Sequence, residues 1–213
     1  MATVSGTIET FARDIKIATQ DLSPEAVAAS LAGMAKEALA EAVASGEGSP
    51  VYERYVNGVR GAAEETVIPP GPIIYVFLHW PTIIATALEE LRKRVPVRSG
   101  RYARGFIVLA NGRIVQRYDE IDGEAEVLIF NVEPYTRKME VGANKTGARH
   151  FEKARGAVQR QFKNVARCEV SYLDIQTGVA PGVPWILRRN AGRRKDRRSG
   201  MPISYPALVI NLE

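Results

Sequence analysis

Two histidines and one serine are the side chains of this sequence most suited to acid–base or nucleophilic chemistry. His79 and His150 are the only histidines; they lie far apart along the chain, and neither has a second ligand at metal-binding spacing. His79 precedes Trp80 at the start of one predicted helix and His150 lies at the start of another, so we expect both to pack rather than to transfer protons. Ser99 has no base in its own segment. From these residues we expect the protein to have no enzyme activity and to bind no cofactor or metal.

A cluster of carboxylates occupies one short stretch in the middle of the chain. Its spacing does not match a calcium-binding loop, so it does not indicate a cation site. We expect either a solvated turn or an acidic surface that meets a basic segment of a neighbouring subunit. The residues are Asp119, Glu120, Asp122, Glu124 and Glu126.

The cysteine content and the hydropathy of the sequence indicate the compartment in which the protein assembles. Cys168 is the only cysteine, which excludes an intrachain disulfide, and the alternating run 165–170 around it predicts a strand with a buried, unreactive thiol. No apolar run approaches the about 18 residues that would suggest a membrane span. The chain begins without a basic-then-apolar secretory pattern. We therefore expect assembly in a reducing cytoplasm and no membrane association.

The basic residues are concentrated in one segment, 188–200. It contains seven basic residues and one acidic residue, a net charge of +6 against +5 for the whole chain, which leaves −1 for the rest. Three interpretations remain open: contact with nucleic-acid phosphates, docking onto an acidic face of a partner subunit, or a solvated loop. The basic side chains are Arg188, Arg189, Arg193, Arg194, Lys195, Arg197 and Arg198.

The first third of the chain is predicted to be mainly helical. Residues 7–20 have apolar positions at helical spacing. Ser23-Pro24-Glu25 is a typical helix start, Gly46 can end that helix, and an alanine-rich apolar stripe runs between them. Residues 52–58 suggest a short helical or turn segment. We therefore expect an N-terminal helical region over 1–68.

Residues 69–213 predict a core domain built on an antiparallel sheet. Asn111-Gly112 lies between two β-branched runs, which is a strong hairpin signal for 102–118. Strands are predicted at 73–77 (short and buried), 126–132, 165–175 and 206–212, and helices at 81–94 and 148–165. The basic connection 176–204 is long and rich in Gly and Pro, which indicates a functional or disordered loop. The fold class is α+β, an antiparallel β-sheet with packed helices, preceded by an N-terminal helical segment.

Three short segments of the core carry a resemblance. Ser99-Gly100-Arg101-Tyr102, Pro134-Tyr135 and Glu140-Val141-Gly142 resemble the neck and tail-completion (head–tail joining) proteins of tailed bacteriophages, and the helix that follows lies where that family has one. The resemblance covers roughly residues 80–175.

The resemblance implies a structural virion protein, assembled in the host cytoplasm. Such a protein is a ring-forming subunit of the phage neck that joins head to tail. It acts either as a tail completion or terminator protein or as a connector. The implied partners are other copies of the chain in a six-fold or twelve-fold ring, adjacent neck, portal-side or tail-tube proteins, and packaged DNA. Tyr102 and Tyr135 are possible subunit contacts; an alternative for Tyr135 is a half-buried tyrosine at a strand end.

Two other functions remain open. A free nucleic-acid-binding protein could act through the Arg-rich loop 188–198 and would bind in a salt-dependent way as a monomer. A small hydrolase or nuclease would need a carboxylate or histidine cluster that the sequence does not contain.

Overall fold

The computed structural model describes residues 23–93, 95, 100–141, 149–190 and 198–213. The chain divides into two compact units between His79 and Trp80, later than the boundary expected after residue 68. The strand at 73–77 pairs with a strand of the first unit, which is why it belongs there. The helix expected at 7–20 lies outside the described residues.

The first unit begins with helix α1 (Pro24–Ser45), which starts and ends where the sequence predicts. The Ser23 hydroxyl accepts a hydrogen bond from the Ala26 amide at 3.2 Å, and Gly46 takes a left-handed φ of 82° just past the last residue. The apolar stripe of α1 is buried only near its start, at Val27, and Met34 is exposed.

A three-stranded antiparallel sheet of order β2-β1-β3 completes the first unit: β1 (Tyr52–Val56), β2 (Val59–Arg60) and β3 (Ile73–Phe77). The helical interpretation of 52–58 is therefore wrong, and the turn is limited to Asn57 and Gly58. Asn57-Gly58 forms a two-residue hairpin turn with φ of 50° and 80°. The strand at 73–77 is confirmed, but it is not buried, because alternate residues such as Ile74 and Val76 are exposed.

The second unit is built on a five-stranded antiparallel sheet of order β5-β4-β6-β8-β7. The Asn111-Gly112 turn joins the first two strands of this unit with φ of 48° and 78°, which confirms a hairpin, but it covers 106–114 rather than the predicted 102–118, because Tyr102 lies in a short helix. The α+β class, with an antiparallel sheet, packed helices and a preceding helical segment, is confirmed. The strands are β4 (Phe106–Ala110), β5 (Arg113–Ile114), β6 (Val127–Asn131), β7 (Ala166–Leu173) and β8 (Tyr205–Leu212).

Helices cover the first face of this sheet. Helix α2 (His79–Lys93) and helix α5 (His150–Gln161) bury apolar side chains in one core cluster with the inward residues of β4, β6, β7 and β8. The short helices α3 (Arg101–Arg104) and α4 (Thr136–Glu140) lie in the connections. The helical residues buried in this core include Ile84, Leu88, Leu91, Phe151, Ala154 and Val158.

The long connection after β7 covers the second face. Ile175, Ala180, Val183 and Ile203 pack in a second core cluster with residues of β4, β6 and β8. Both ends of the 176–204 segment therefore belong to the core, although its described residues form no helix or strand.

The edge strand β7 is partly closed by a side chain. Gln159 of α5 accepts a hydrogen bond from the Cys168 amide at 2.8 Å and donates one to the Ala166 carbonyl at 3.1 Å. These are edge groups that another strand would otherwise pair with, so Gln159 limits strand addition there.

Candidate interaction site

In the middle of the long connection, residues 185–190 and 198–203 run antiparallel to each other with a β-bridge between Ile186 and Pro202, and we call these two segments the Arg hairpin. The Leu187 amide donates to the Met201 carbonyl at 2.9 Å, and the Ile203 amide donates to the Trp185 carbonyl at 3.0 Å. Tyr205 of β8 fixes the base, because its buried hydroxyl accepts a hydrogen bond from the Trp185 amide at 2.8 Å. The arm is thus attached to the sheet at its base.

Three of the basic residues singled out in the sequence belong to the described part of the Arg hairpin, and Arg188, Arg189 and Arg198 are all exposed. The Asn190 side-chain oxygen accepts a hydrogen bond from the Ser199 amide at 2.8 Å, which joins the two segments of the hairpin. The other four candidate residues lie outside the described residues: Arg193, Arg194, Lys195 and Arg197.

Exposed apolar side chains accompany these arginines. Trp185, Ile186 and Met201 are 38%, 47% and 39% exposed. The Arg188 guanidinium lies over the Trp185 ring, 5.4 Å from its centroid. Tryptophan, methionine and arginine are enriched at the cores of protein interfaces, so the combination favours docking on a partner over a solvated loop.

The segments that carry the phage resemblance meet in space. Arg101 pairs with Glu133 at 2.7 Å, and the Asn131 side-chain amide donates to the Tyr102 carbonyl at 2.7 Å. The rings of Tyr102 and Tyr135 stack with their centroids 5.6 Å apart. Tyr102 is only 4% exposed and burial raises its pKa, whereas Tyr135 is 38% exposed. Of the two tyrosines, Tyr135 is the one with surface available to a neighbour.

Glu140, in the third of these segments, holds the start of helix α5. Its carboxylate accepts hydrogen bonds from the amides of Phe151 at 2.9 Å and Glu152 at 3.2 Å. The side chain is 3% exposed, and burial raises the pKa of the carboxyl group despite these hydrogen bonds. His150, the first residue of α5, is fully buried with its ring 6.1 Å from Tyr102. The resemblance pointed to Glu140, but nothing in the sequence pattern revealed its capping role.

The two histidines lie in different units. His79 has its ring 6.1 Å from that of Phe77, and partial burial lowers its pKa. Within residues 23–93, 95, 100–141, 149–190 and 198–213, no three His, Cys, Asp or Glu side chains come together to form a possible metal site.

The acidic turn is partly neutralised within its own unit. Arg117 pairs with Asp119 at 3.1 Å and with Glu120 at 2.6 Å. Glu124 and Glu126 remain exposed on the same turn. An acidic surface for a partner therefore remains a prediction, carried by the later part of the turn.

Cys168 lies on β7 and is buried, as the sequence predicts. Burial raises its pKa to about 12, so the thiol is almost entirely protonated near neutral pH. A nucleophilic role is thereby disfavoured.

Comparison with protein-family models, with curated proteins and with solved structures finds no match to this chain. Every helix in the described part of the chain is too short or too polar to cross a bilayer.

Proposed function

We propose that this protein is a ring-forming structural subunit of the neck of a tailed bacteriophage, which joins head to tail as a tail completion or terminator protein or as a connector. The described residues of the motifs that resemble this family support the proposal: Tyr102 stacks on Tyr135, and the ring of His150, at the start of the helix that Glu140 caps, lies 6.1 Å from that of Tyr102. The protein acts in the virion after assembly in the host cytoplasm, and it makes or breaks no bonds.

The single observation that carries the proposal is the Arg hairpin. A subunit of a closed ring needs two different patches, one that projects and one that receives, because its interfaces are heterologous. An arm with a core-anchored base and an exposed Trp185, Ile186 and Met201 is suited to be the projecting patch. The exposed carboxylates of Glu124 and Glu126 offer a complementary charge for the arginines of an adjacent subunit.

Imaging of the purified full chain tests this proposal. Negative-stain electron microscopy and light scattering at increasing protein concentration should reveal closed rings of uniform size. The double variant W185A/M201A should stay monomeric while keeping a cooperative unfolding transition, because both side chains lie at the surface of the subunit, 38% and 39% exposed. The matched control is Ile114→Ala, which removes an equally exposed apolar side chain from β5 and should leave ring formation intact. A wild-type chain that remains monomeric throughout, or rings formed equally by W185A/M201A, would contradict it.

The alternative is a free nucleic-acid-binding protein that acts through residues 188–198. The exposed guanidinium groups of Arg188, Arg189 and Arg198 favour it. It predicts a monomer whose DNA or RNA binding is lost when these three residues are replaced by glutamine. Ring formation by the same variant would separate this alternative from the first proposal.

A further inference from the structure

A second basic surface lies on the solvent side of helix α5. The buried side of this helix is apolar, and helical periodicity places the basic residues of the same segment on the opposite side. The net charge of −1 outside residues 188–200 had suggested no such surface. We call this surface the α5 basic face; its exposed residues are Arg149, Lys153, Arg160 and Lys163.

Most of this positive charge is uncompensated. Glu152 is the acidic residue on this side of the helix, and it pairs with Arg155 at 3.0 Å. Lys153, Arg160 and Lys163 form no ion pair with the other described residues. Their charges are therefore available to an anionic partner.

The face has the shape and spacing of a surface for a linear polyanion. Gly156 lies between Lys153 and Arg160, and the space where its side chain would be is open, which contributes to a shallow depression of about 870 Å³. Lys153 and Arg160 are seven residues apart in α5, about 10 Å along the helix at 1.5 Å per residue, and Lys163 follows just past the end of the helix at Gln161. Phosphates follow each strand of duplex DNA about every 3.4 Å along its axis, so the helical part of the face spans about three of them.

The chemistry of the α5 basic face differs from that of the Arg hairpin. No large apolar side chain is exposed among the residues of α5, whereas Trp185, Ile186 and Met201 are exposed on the hairpin. A surface without an aromatic or apolar anchor is poorly suited to the core of a protein interface. Charge without apolar contact is typical of binding to the DNA backbone, which carries no sequence information.

We propose that the α5 basic face binds the phosphate backbone of duplex DNA without reading its sequence, and that the Arg hairpin docks on protein. This assignment rests on the proposed function, because the DNA in question is the phage genome that passes through the ring. Lys153, Arg160 and Lys163 contact phosphates, and Glu140, which caps α5, is a positioning residue for the face.

Fluorescence anisotropy with a labelled duplex of arbitrary sequence tests the DNA contact. The variant K153Q/R160Q/K163Q should lower the slope of log affinity against log salt by about 2.7, so wild-type affinity falls about 40-fold more than variant affinity between about 50 and about 200 mM salt. The matched control R92Q/R113Q/K138Q removes three exposed positive charges from α2, β5 and α4 and should keep the wild-type slope.

A second pair of variants guards against a folding defect. Gly156→Glu places a carboxylate between Lys153 and Arg160, where the structure leaves room, and should lower the slope by about 0.9 to 1.8. Gly156→Ala at the same position should bind DNA as the wild type does. Both replacements favour a helix over glycine, so neither should unfold the chain.

The outcomes separate this proposal from the proposed function. A wild-type slope for K153Q/R160Q/K163Q, equal binding by G156E and G156A, or no binding of duplex DNA by the wild type overturns the α5 assignment. Binding of polyglutamate through α5 without any binding of DNA would also overturn the α5 assignment, because that result would indicate an acidic protein partner. Loss of DNA binding with rings intact supports both proposals. DNA binding through α5 by a chain that never forms rings supports this assignment and contradicts the ring.

Discussion

Replacing Glu140 tests whether a buried carboxylate holds helix α5 in place. Glu140→Ala removes the acceptor of the Phe151 and Glu152 amides. Leaving a buried donor unsatisfied costs about 1–3 kcal/mol, and losing a helix N-terminal cap costs about 1 kcal/mol. These two figures describe the same loss, so we expect the free energy of unfolding to fall by about 1–3 kcal/mol. Glu140→Gln keeps one acceptor oxygen and should cost about 1 kcal/mol.

The pH dependence of this effect has a definite sign. Burial raises the pKa of Glu140, so the folded state holds this proton more tightly than the unfolded state does. The stability contributed by protonated Glu140 is fully present below its ordinary pKa and is lost as pH rises through the raised value. The wild type should therefore exceed Glu140→Gln in stability most at low pH, and this advantage should shrink as the pH increases.

Urea unfolding at a series of pH values measures both effects. Both tryptophans, Trp80 and Trp185, belong to the second unit, so their fluorescence follows the unit that contains α5. Glu152→Gln is the matched control, since that side chain is exposed and should change the free energy of unfolding by less than about 0.5 kcal/mol. The reasoning fails if the wild type gains stability over Glu140→Gln as the pH rises.

Three further predictions follow from single contacts. Tyr205→Phe removes the acceptor of the Trp185 amide, which should cost about 1 kcal/mol and speed tryptic cleavage of the Arg hairpin; unchanged cleavage would show that the base is held without it. Cys168 should react with a thiol reagent at pH 8 only at the rate of unfolding, because it is buried with a pKa of about 12; rapid reaction in the native state would refute this. Gln159→Ala leaves the Cys168 amide and the Ala166 carbonyl at the edge of β7 without this partner, so it should lower the free energy of unfolding by about 1–3 kcal/mol and increase light scattering. Gln159→Glu should keep the hydrogen bond from the Cys168 amide but lose the one to Ala166.

The elements that could be predicted are those whose signal is local. Ser23 and Gly46 bound α1 because capping needs only a side chain and a permissive φ. The same logic identified Asn111-Gly112, but the equivalent Asn57-Gly58 turn was missed. The strand before that turn contains Glu53 and Arg54, whose charged side chains form ion pairs instead of packing in a hydrophobic core. The strand therefore has no run of apolar residues that would indicate it in the sequence.

The site could be predicted only in part, because its geometry is non-local. Counting charges along the chain located the Arg-rich segment but overlooked the α5 basic face, although Lys153 and Arg160 are seven residues apart on the helix that the sequence predicts at 148–165. The cap on α5 comes from Glu140, which precedes the helix by ten residues, and local capping rules search only the adjacent turn. The anchoring of the Arg hairpin depends on Tyr205, which follows it in the chain.

The place of β8 in the sheet has a consequence for synthesis on the ribosome. β8 pairs with both β6 and β7, yet it follows both in the chain. The five-stranded sheet therefore cannot close until residue 212 has left the exit tunnel, while residues 23–79 lie upstream and can fold during translation. In that interval β6 and β7 lack the strand between them, and their apolar faces are open to chaperones. Folding of the second unit therefore waits until its last strand has been synthesised and has left the tunnel, whereas the first unit can fold earlier.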